Sequence, residues 1–213
     1  MRIYAIADLH SKEEREEKAI DLASSSDLAL ICGDITHFGP AEHARAFLSR
    51  IPVKTFAIPG NCDPPEVLQA IEASGAVNLH AKAHKFDGYD FYGFGGAMPG
   101  MIKTIFEIPE EKIYEELSRI AVERGILVTH APPKGHLDHT SHGFDIGSES
   151  VLRIIEEKKP VINVFGHVHE AVGKEELGPT TLINCSAGYK GYGCYIDIET
   201  KANKEEIEVE FLQ

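Results

Sequence analysis

Seven residues of metal-ligating type fall in five short segments of this 213-residue chain: Asp8 and His10, Asp34, Asn61, His130, and His167 with His169. Each segment closes a short apolar run. Their donors are carboxylate oxygens, one amide oxygen and imidazole nitrogens, a set suited to divalent ions. Two such ions side by side generate a hydroxide at neutral pH and clamp the oxygens of a phosphate in flight. The two carboxylate oxygens of Asp34 are able to take one ion each, which fixes an ion pair at roughly 3.5–4 Å. Asp8 and His10 stand two residues apart, so strand alternation would aim both at one ion, and the same holds for His167 and His169. Gly166 allows a turn there without a Cβ clash. One His-x-His or Gly-Asp is weak evidence, but the joint set points to a two-metal hydrolase site.

The elements that must position these residues are legible as apolar runs alternating with amphipathic stretches. Ile3 to Ala7, Leu28 to Cys32, Thr55 to Ile58, Ile126 to Thr129 and Val161 to Phe165 read as strands buried on both faces. Alternating β and α units imply a largely parallel sheet, whose carboxyl ends form the crevice where ligand segments converge. A capping box of Ser11 and Glu14 is expected to open a helix reaching about Ala23. Pro64 and Pro65 start a second helix that Gly75 stops, and Pro109 opens a third that Gly125 ends. Ser148 is expected to cap a fourth, running to Pro160. The runs Thr181 to Asn184, Gly193 to Ile198 and Ile207 to Leu212 form a β-rich tail, read as a second sheet packed on the first.

Bulk properties narrow the partners. The length fits one domain over residues 1–213. A formal charge of −13 repels polyanions, so a general nucleic-acid binder is disfavoured. A small phosphorylated substrate is compatible, because two dications against Asp8 and Asp34 leave a positive centre. Cys32, Cys62, Cys185 and Cys194 show neither CxxC spacing nor the density of a disulfide scaffold, which suits a reducing compartment. Met1 to Ala7 leads directly into a strand, and no apolar run is of membrane-spanning length. The expectation is a cytoplasmic protein with no membrane partner.

The segments DLH at 8–10, GDIT at 33–36, GNCD at 60–63, THAPP at 129–133 and GHVH at 166–169 resemble the five motifs of the calcineurin-like metallophosphoesterases. That resemblance implies an α/β fold of two facing mixed β-sheets flanked by helices, a four-layer sandwich. It implies hydrolysis of phosphomonoesters or phosphodiesters with two divalent ions, manganese first, with iron, nickel, zinc or cobalt as alternatives. It places Asp8, His10 and His169 on one ion, Asn61, His130 and His167 on the other, and Asp34 between them, with a shared water or hydroxide as nucleophile.

One position departs from the family's pattern. Cys62 stands where the third motif usually has a histidine that protonates the leaving oxygen. Close to two cations a thiol loses its proton easily and is a poor acid. The GNCD variant resembles a branch of small phosphodiesterases, so a small phosphodiester is the expected substrate. Asp63 is expected to orient a ligand or water, or to cap the next helix, and His37 is a candidate substitute acid. His136, His139 and His142 read as solvated loop residues, with lining of the substrate pocket as the alternative, while His43, His80 and His84 read as helix or surface positions. Loops 93–104 and 131–147 are expected to set specificity. The rival readings are a metallophosphoesterase-fold interaction module, which the complete donor set disfavours, and a nuclease, which the acidic charge disfavours.

Overall fold

The run Leu28–Cys32 is buried at all five positions, which requires cover on both faces, and two layers supply it. The computed structural model describes residues 1–100, 102–201 and 204–213. The first half of the chain contains β1 (Arg2–Ile6), α1 (Glu13–Ala23), β2 (Leu28–Cys32), α2 (Ala41–Leu48), β3 (Lys54–Ile58), α3 (Val67–Ala73) and β4 (Val77–Asn78). A hairpin of β5 (Lys82–Phe86) and β6 (Tyr89–Phe94) comes next, then α4 (Glu110–Ile120), β7 (Ile126–Thr129), α5 (Glu149–Lys158) and β8 (Ile162–Phe165). The last strands are β9 (Gly173–Leu177), β10 (Thr180–Asn184), β11 (Cys194–Lys201) and β12 (Lys204–Phe211).

These strands form two six-stranded mixed sheets, ordered β12-β11-β1-β2-β3-β4 and β5-β6-β7-β8-β10-β9. Alternation along β1 shows how the layers are cemented. Ile3 and Ala5 point into the core between the sheets, while Tyr4 and Ile6 point to the helices outside. Phe56 of the first sheet meets Phe91 of the second with ring centroids 5.2 Å apart. Ala19, Phe47, Leu48 and Val67 of α1, α2 and α3 cover the first sheet, and Ile113, Leu117, Val151 and Ile154 of α4 and α5 cover the second. Each fully buried aliphatic side chain of this kind contributes about 1.5–3 kcal/mol. Among the described residues no helix is long and apolar enough to cross a membrane.

Three expectations are corrected. The β-rich tail is not a separate sheet: β9 and β10 complete the second sheet, whereas β11 and β12 return to the first, β11 pairing antiparallel with β1. The five sequence-predicted strands are divided accordingly, β1, β2 and β3 in one sheet and β7 and β8 in the other. Ser11 does not cap α1, because its φ of 54° lies in the left-handed region and Lys12 occupies the cap position with no side-chain bond. Asp63 does not cap α3, which begins four residues later with Glu66 at its cap. The Ser148 cap is present, its side chain accepting from Val151 N–H at 3.1 Å.

Candidate metal centre

The carboxyl ends of β1, β2, β3, β7 and β8 meet at one rim, and their loops are knitted by backbone hydrogen bonds. Asp8 N–H donates to Gly33 O at 3.0 Å, His10 N–H to Asp34 O at 2.9 Å, and Gly166 N–H to His130 O at 3.1 Å. The paired ligands are not aimed by strand alternation, since β1 ends at Ile6 and β8 at Phe165. Left-handed backbone aims them instead: φ is 63° at Asp8, 50° at His10, 50° at Asp34 and 70° at His167. Four non-glycine residues held this way in one site store strain that the surrounding fold must hold. Gly166 serves close approach rather than a turn, because a Cβ there would lie 2.3 Å from Ala7 Cβ and 2.7 Å from Asp8 Oδ2.

Asp34 is buried at the middle of the set, with its two oxygens facing apart. Oδ2 lies 3.7 Å from His10 Nε2, and Oδ1 lies 3.6 Å from His130 Nε2. On the Oδ2 side, His10 Nε2 and His169 Nε2 are 3.2 Å apart, and Asp8 Oδ1 is 3.5 Å from His169 Nε2. On the Oδ1 side, His130 Nε2 and Asn61 Oδ1 are 2.8 Å apart, with the His167 ring centroid 5.1 Å from that of His130. All seven sequence-predicted donors are therefore brought to one place.

The donor set fits cations on its own evidence. His130 Nδ1 donates to Cys32 O at 2.9 Å, which turns Nε2 toward Asn61 Oδ1, 2.8 Å away. An imidazole nitrogen and an amide oxygen set this close at a buried rim are both atoms that a divalent ion accepts as ligands. Asp8 Oδ1 is fully buried without a hydrogen-bond partner among the described residues, a costly state for a carboxylate that an ion would relieve. Asp8, His10 and His169 form one group with mutually close ligand atoms, and Asp8, Asp34 and His130 another.

Crowding of this kind sets the charge states. Burial opposes ionisation of Asp8, but His169, with Nε2 3.5 Å from Oδ1, and the other histidines around it hold its carboxyl below the usual range. Burial, then the charges of Asp8 and Asp63, push Asp34 up to about 7. Burial lowers His10 to about 4 and, with His130 adding to it, lowers His167 to about 3. Both imidazoles are thus neutral ligands at neutral pH. In the metal-free chain, burial and then Asp34 push the Cys62 thiol well above its ordinary value.

The remaining predicted residues lie at different depths. Cys62 is buried beside the donors, its N–H donating to Asp34 Oδ1 at 2.8 Å, and its sulfur groups with ligand atoms of His10 and Asp34. Asp63 is fully buried and accepts from Ile35 N–H, Thr36 N–H, Thr36 Oγ1 and Gly60 N–H. His37 is exposed at the mouth, its ring edge-on to His10 at 5.5 Å. Of the other histidines, His136 pairs with Glu175 and His139 with Asp145, away from the donors. His80 packs on Phe94 and accepts from Gly95 N–H at 3.0 Å, on neither a helix nor an open surface. Of loop 93–104, Met101 lies outside the described residues.

Two features had no signal in the sequence. Arg15, one charge in a glutamate-rich helix, is buried and donates from Nη1 to Asp8 O at 3.0 Å and from Nη2 to Gly188 O at 2.7 Å. A row of rings crosses the mouth, Tyr189 on His169 at 6.5 Å, His169 on His10, His10 on His37, and His37 on Phe38 at 4.7 Å. Its two ends are exposed, Tyr189 by 72% and Phe38 by 49%.

Two helix-flanked sheets carrying two adjoining donor sets, with a carboxylate facing both, define a metal-dependent phosphoester hydrolase. The model of the calcineurin-like phosphoesterases matches residues 1–171, and the chain belongs to that family. Its members typically bind two divalent ions. An uncharacterized protein of Methanocaldococcus jannaschii is 32% identical over 95% of this chain and 94% of its own length. Human metallophosphoesterase domain-containing protein 1 is 31% identical over 53% of this chain and 34% of its own length. The crystal structure of TT1561 of Thermus thermophilus superposes with a TM-score of 0.72 at 18% identity, covering 100% of this chain and 99% of that one. At that identity the likeness concerns the fold.

Proposed function

We propose that this protein is a binuclear metal-dependent phosphodiesterase acting on a small phosphodiester, with manganese as the preferred metal and the cytoplasm as its place of action. The observation that carries the reading is the position of Asp34, with one oxygen toward His10 and the other toward His130. Asp8, His10, His169 and Asp34 Oδ2 would hold one ion, and Asn61, His130, His167 and Asp34 Oδ1 the other. When bound, two dications supply an acidified water and Lewis-acid stabilisation of the phosphoryl oxygens. The chain's own residues supply the rest. The Cys32 carbonyl fixes the tautomer of His130, and the Asp63 carboxylate fixes the spacing of the Asp34 and Asn61 loops.

Preference for diesters rests on Cys62 and on the mouth. The thiol lies where a proton donor to the leaving oxygen would stand and donates poorly, so esters with better leaving groups are favoured. His37, exposed and edge-on to His10, is the nearest titratable group free to reach a leaving oxygen. Tyr189 and Phe38, at the two ends of the ring row, offer one exposed aromatic surface for each arm of a diester.

A Mn²⁺-loaded screen of phosphomonoesters against phosphodiesters tests this, with Cys62→His assayed beside the wild type. Wild type is expected to cleave bis(4-nitrophenyl) phosphate at least tenfold faster than 4-nitrophenyl phosphate. The histidine variant should gain mainly on the monoester. An unchanged ratio would remove Cys62 from the account, and fewer than one ion per chain with no hydrolysis of either ester would sink the enzyme reading.

A further inference from the structure

Beside the metal centre, on the His169 side, lies a hollow of about 320 Å³ walled by Lys12, Glu14, Arg15, Tyr189, Lys190 and Tyr192. Its charge is unusual for this molecule. The chain has 34 Asp and Glu against 21 Lys and Arg, so a lysine or arginine finds a carboxylate easily. Most do, as Arg2, Arg50, Lys82, Lys134 and Lys201 illustrate. Lys12, Arg15 and Lys190 form no ion pair among the described residues, and all three line this one hollow. The carboxylate in the wall, Glu14, is engaged by the Tyr192 hydroxyl, which donates to it at 3.2 Å. Arg15 spends its guanidinium on two backbone carbonyls, and with Glu14 keeping its negative charge the wall carries three cations against one carboxylate.

The hollow is also coupled to the donor set. Arg15 holds the carbonyl of Asp8, Lys12 comes two residues after His10, and the Tyr189 ring stands edge-on to His169. An exposed ring next to an excess of cations fits a flat group carrying negative charge. Lys12 and Lys190 are not among the metal-type donors, which leaves them free to hold an anionic group other than the phosphate under attack.

We propose that this hollow is a substrate subsite that stacks a flat ring on Tyr189 and binds a second phosphate on Lys12 and Lys190. The preferred substrate is then a phosphodiester with one arm bearing both a ring and a further phosphate, as a nucleoside bisphosphate arm does. This rests on the phosphodiesterase reading for the reaction, but not for the binding. Two lysines acting on a phosphate in a solvent-open hollow give roughly a tenfold gain in affinity, weakened by salt. Stacking of a ring on tyrosine is tolerant of the ring's identity, so the subsite selects by charge and flatness.

Calorimetric titration of the Mn²⁺-loaded chain with thymidine 3′,5′-bisphosphate and with thymidine 5′-monophosphate tests the subsite. The bisphosphate is expected to bind roughly tenfold tighter, with the advantage shrinking as NaCl is raised. Lys12→Ala/Lys190→Ala should bind the two nucleotides alike, Lys12→Arg/Lys190→Arg should restore the difference, and Tyr189→Leu should weaken both relative to inorganic phosphate. Equal affinity in the wild type, or an advantage that survives the double alanine change, overturns the phosphate site. Nucleotide affinity untouched by Tyr189→Leu overturns the stacking. The 4-nitrophenyl esters of the two nucleotides separate binding from reaction. Neither ester cleaved, with the affinity difference intact, would sink the phosphodiesterase reading alone, whereas both cleaved at equal affinity would sink the subsite alone.

Discussion

Asp63 shows how a residue that touches no substrate governs the site. Three backbone N–H groups and the Thr36 hydroxyl converge on its buried carboxylate, which joins the loop carrying Asp34 to the loop carrying Asn61. Burial pushes its pKa up despite those bonds. In Asp63→Asn an amide N–H₂ must face N–H donors, leaving at least one buried donor unpaired. The change is expected to cost about 2–4 kcal/mol, read as a lower urea midpoint, and to reduce bound Mn²⁺ below two per chain by elemental analysis. Full stability with two ions retained would contradict the role given to Asp63. The residue types of the donor set were legible in the sequence because few other functions need them together. Arg15 was not legible, since a single arginine among glutamates on a helix gives no hint that it turns inward.

At the scale of elements, the site is made by the loops at the strands' carboxyl ends rather than by the strands themselves. Gly60 illustrates the tolerance, for a Cβ there would fall 2.0 Å from Asp34 Oδ1 and 2.2 Å from Asp34 N. Gly60→Ala must displace the carboxylate that faces both donor sets, so bound metal should fall and activity should drop at least a hundredfold. Gly100→Ala, which meets nothing within 4 Å, is the control and should leave metal content unchanged. Equal metal content in the two variants would refute the packing argument. The apolar central strands were readable to within a residue or so. Of the missed strands β4, β5, β6 and β9, three lie at sheet edges and are short or polar, as edges that must resist further pairing are, whereas β6 is interior and its apolar run is interrupted by Asp90 and Gly93. β5 is exposed at four of its five positions, so no alternation marks it. Helix α2 was missed because eight residues give little more than two turns of pattern. The false cap at Ser11 had the right residues, but the left-handed backbone that aims His10 continues through it.

For the whole molecule, acid sensitivity comes partly from outside the metal centre. His80 is lowered to about 4 from 6.5, chiefly by burial. The unfolded chain therefore binds more protons than the folded one between those values, and stability rises with pH across that window. The contribution is complete above about pH 6.5 and is lost as pH falls toward 4, by at most about 3 kcal/mol. Urea unfolding as a function of pH, with NMR titration of the His80 ring, checks this, and a ring that titrates near 6.5 would sink it. The division of strands between sheets bears on another property of the chain, its biosynthesis. β1, which leads to Asp8, leaves the ribosome long before β11, which covers one of its edges. Until residues 194–201 have emerged, that edge stays bare and open to pairing with another nascent chain. The strand that begins the metal centre is thus sealed only after every residue of the donor set has been synthesised.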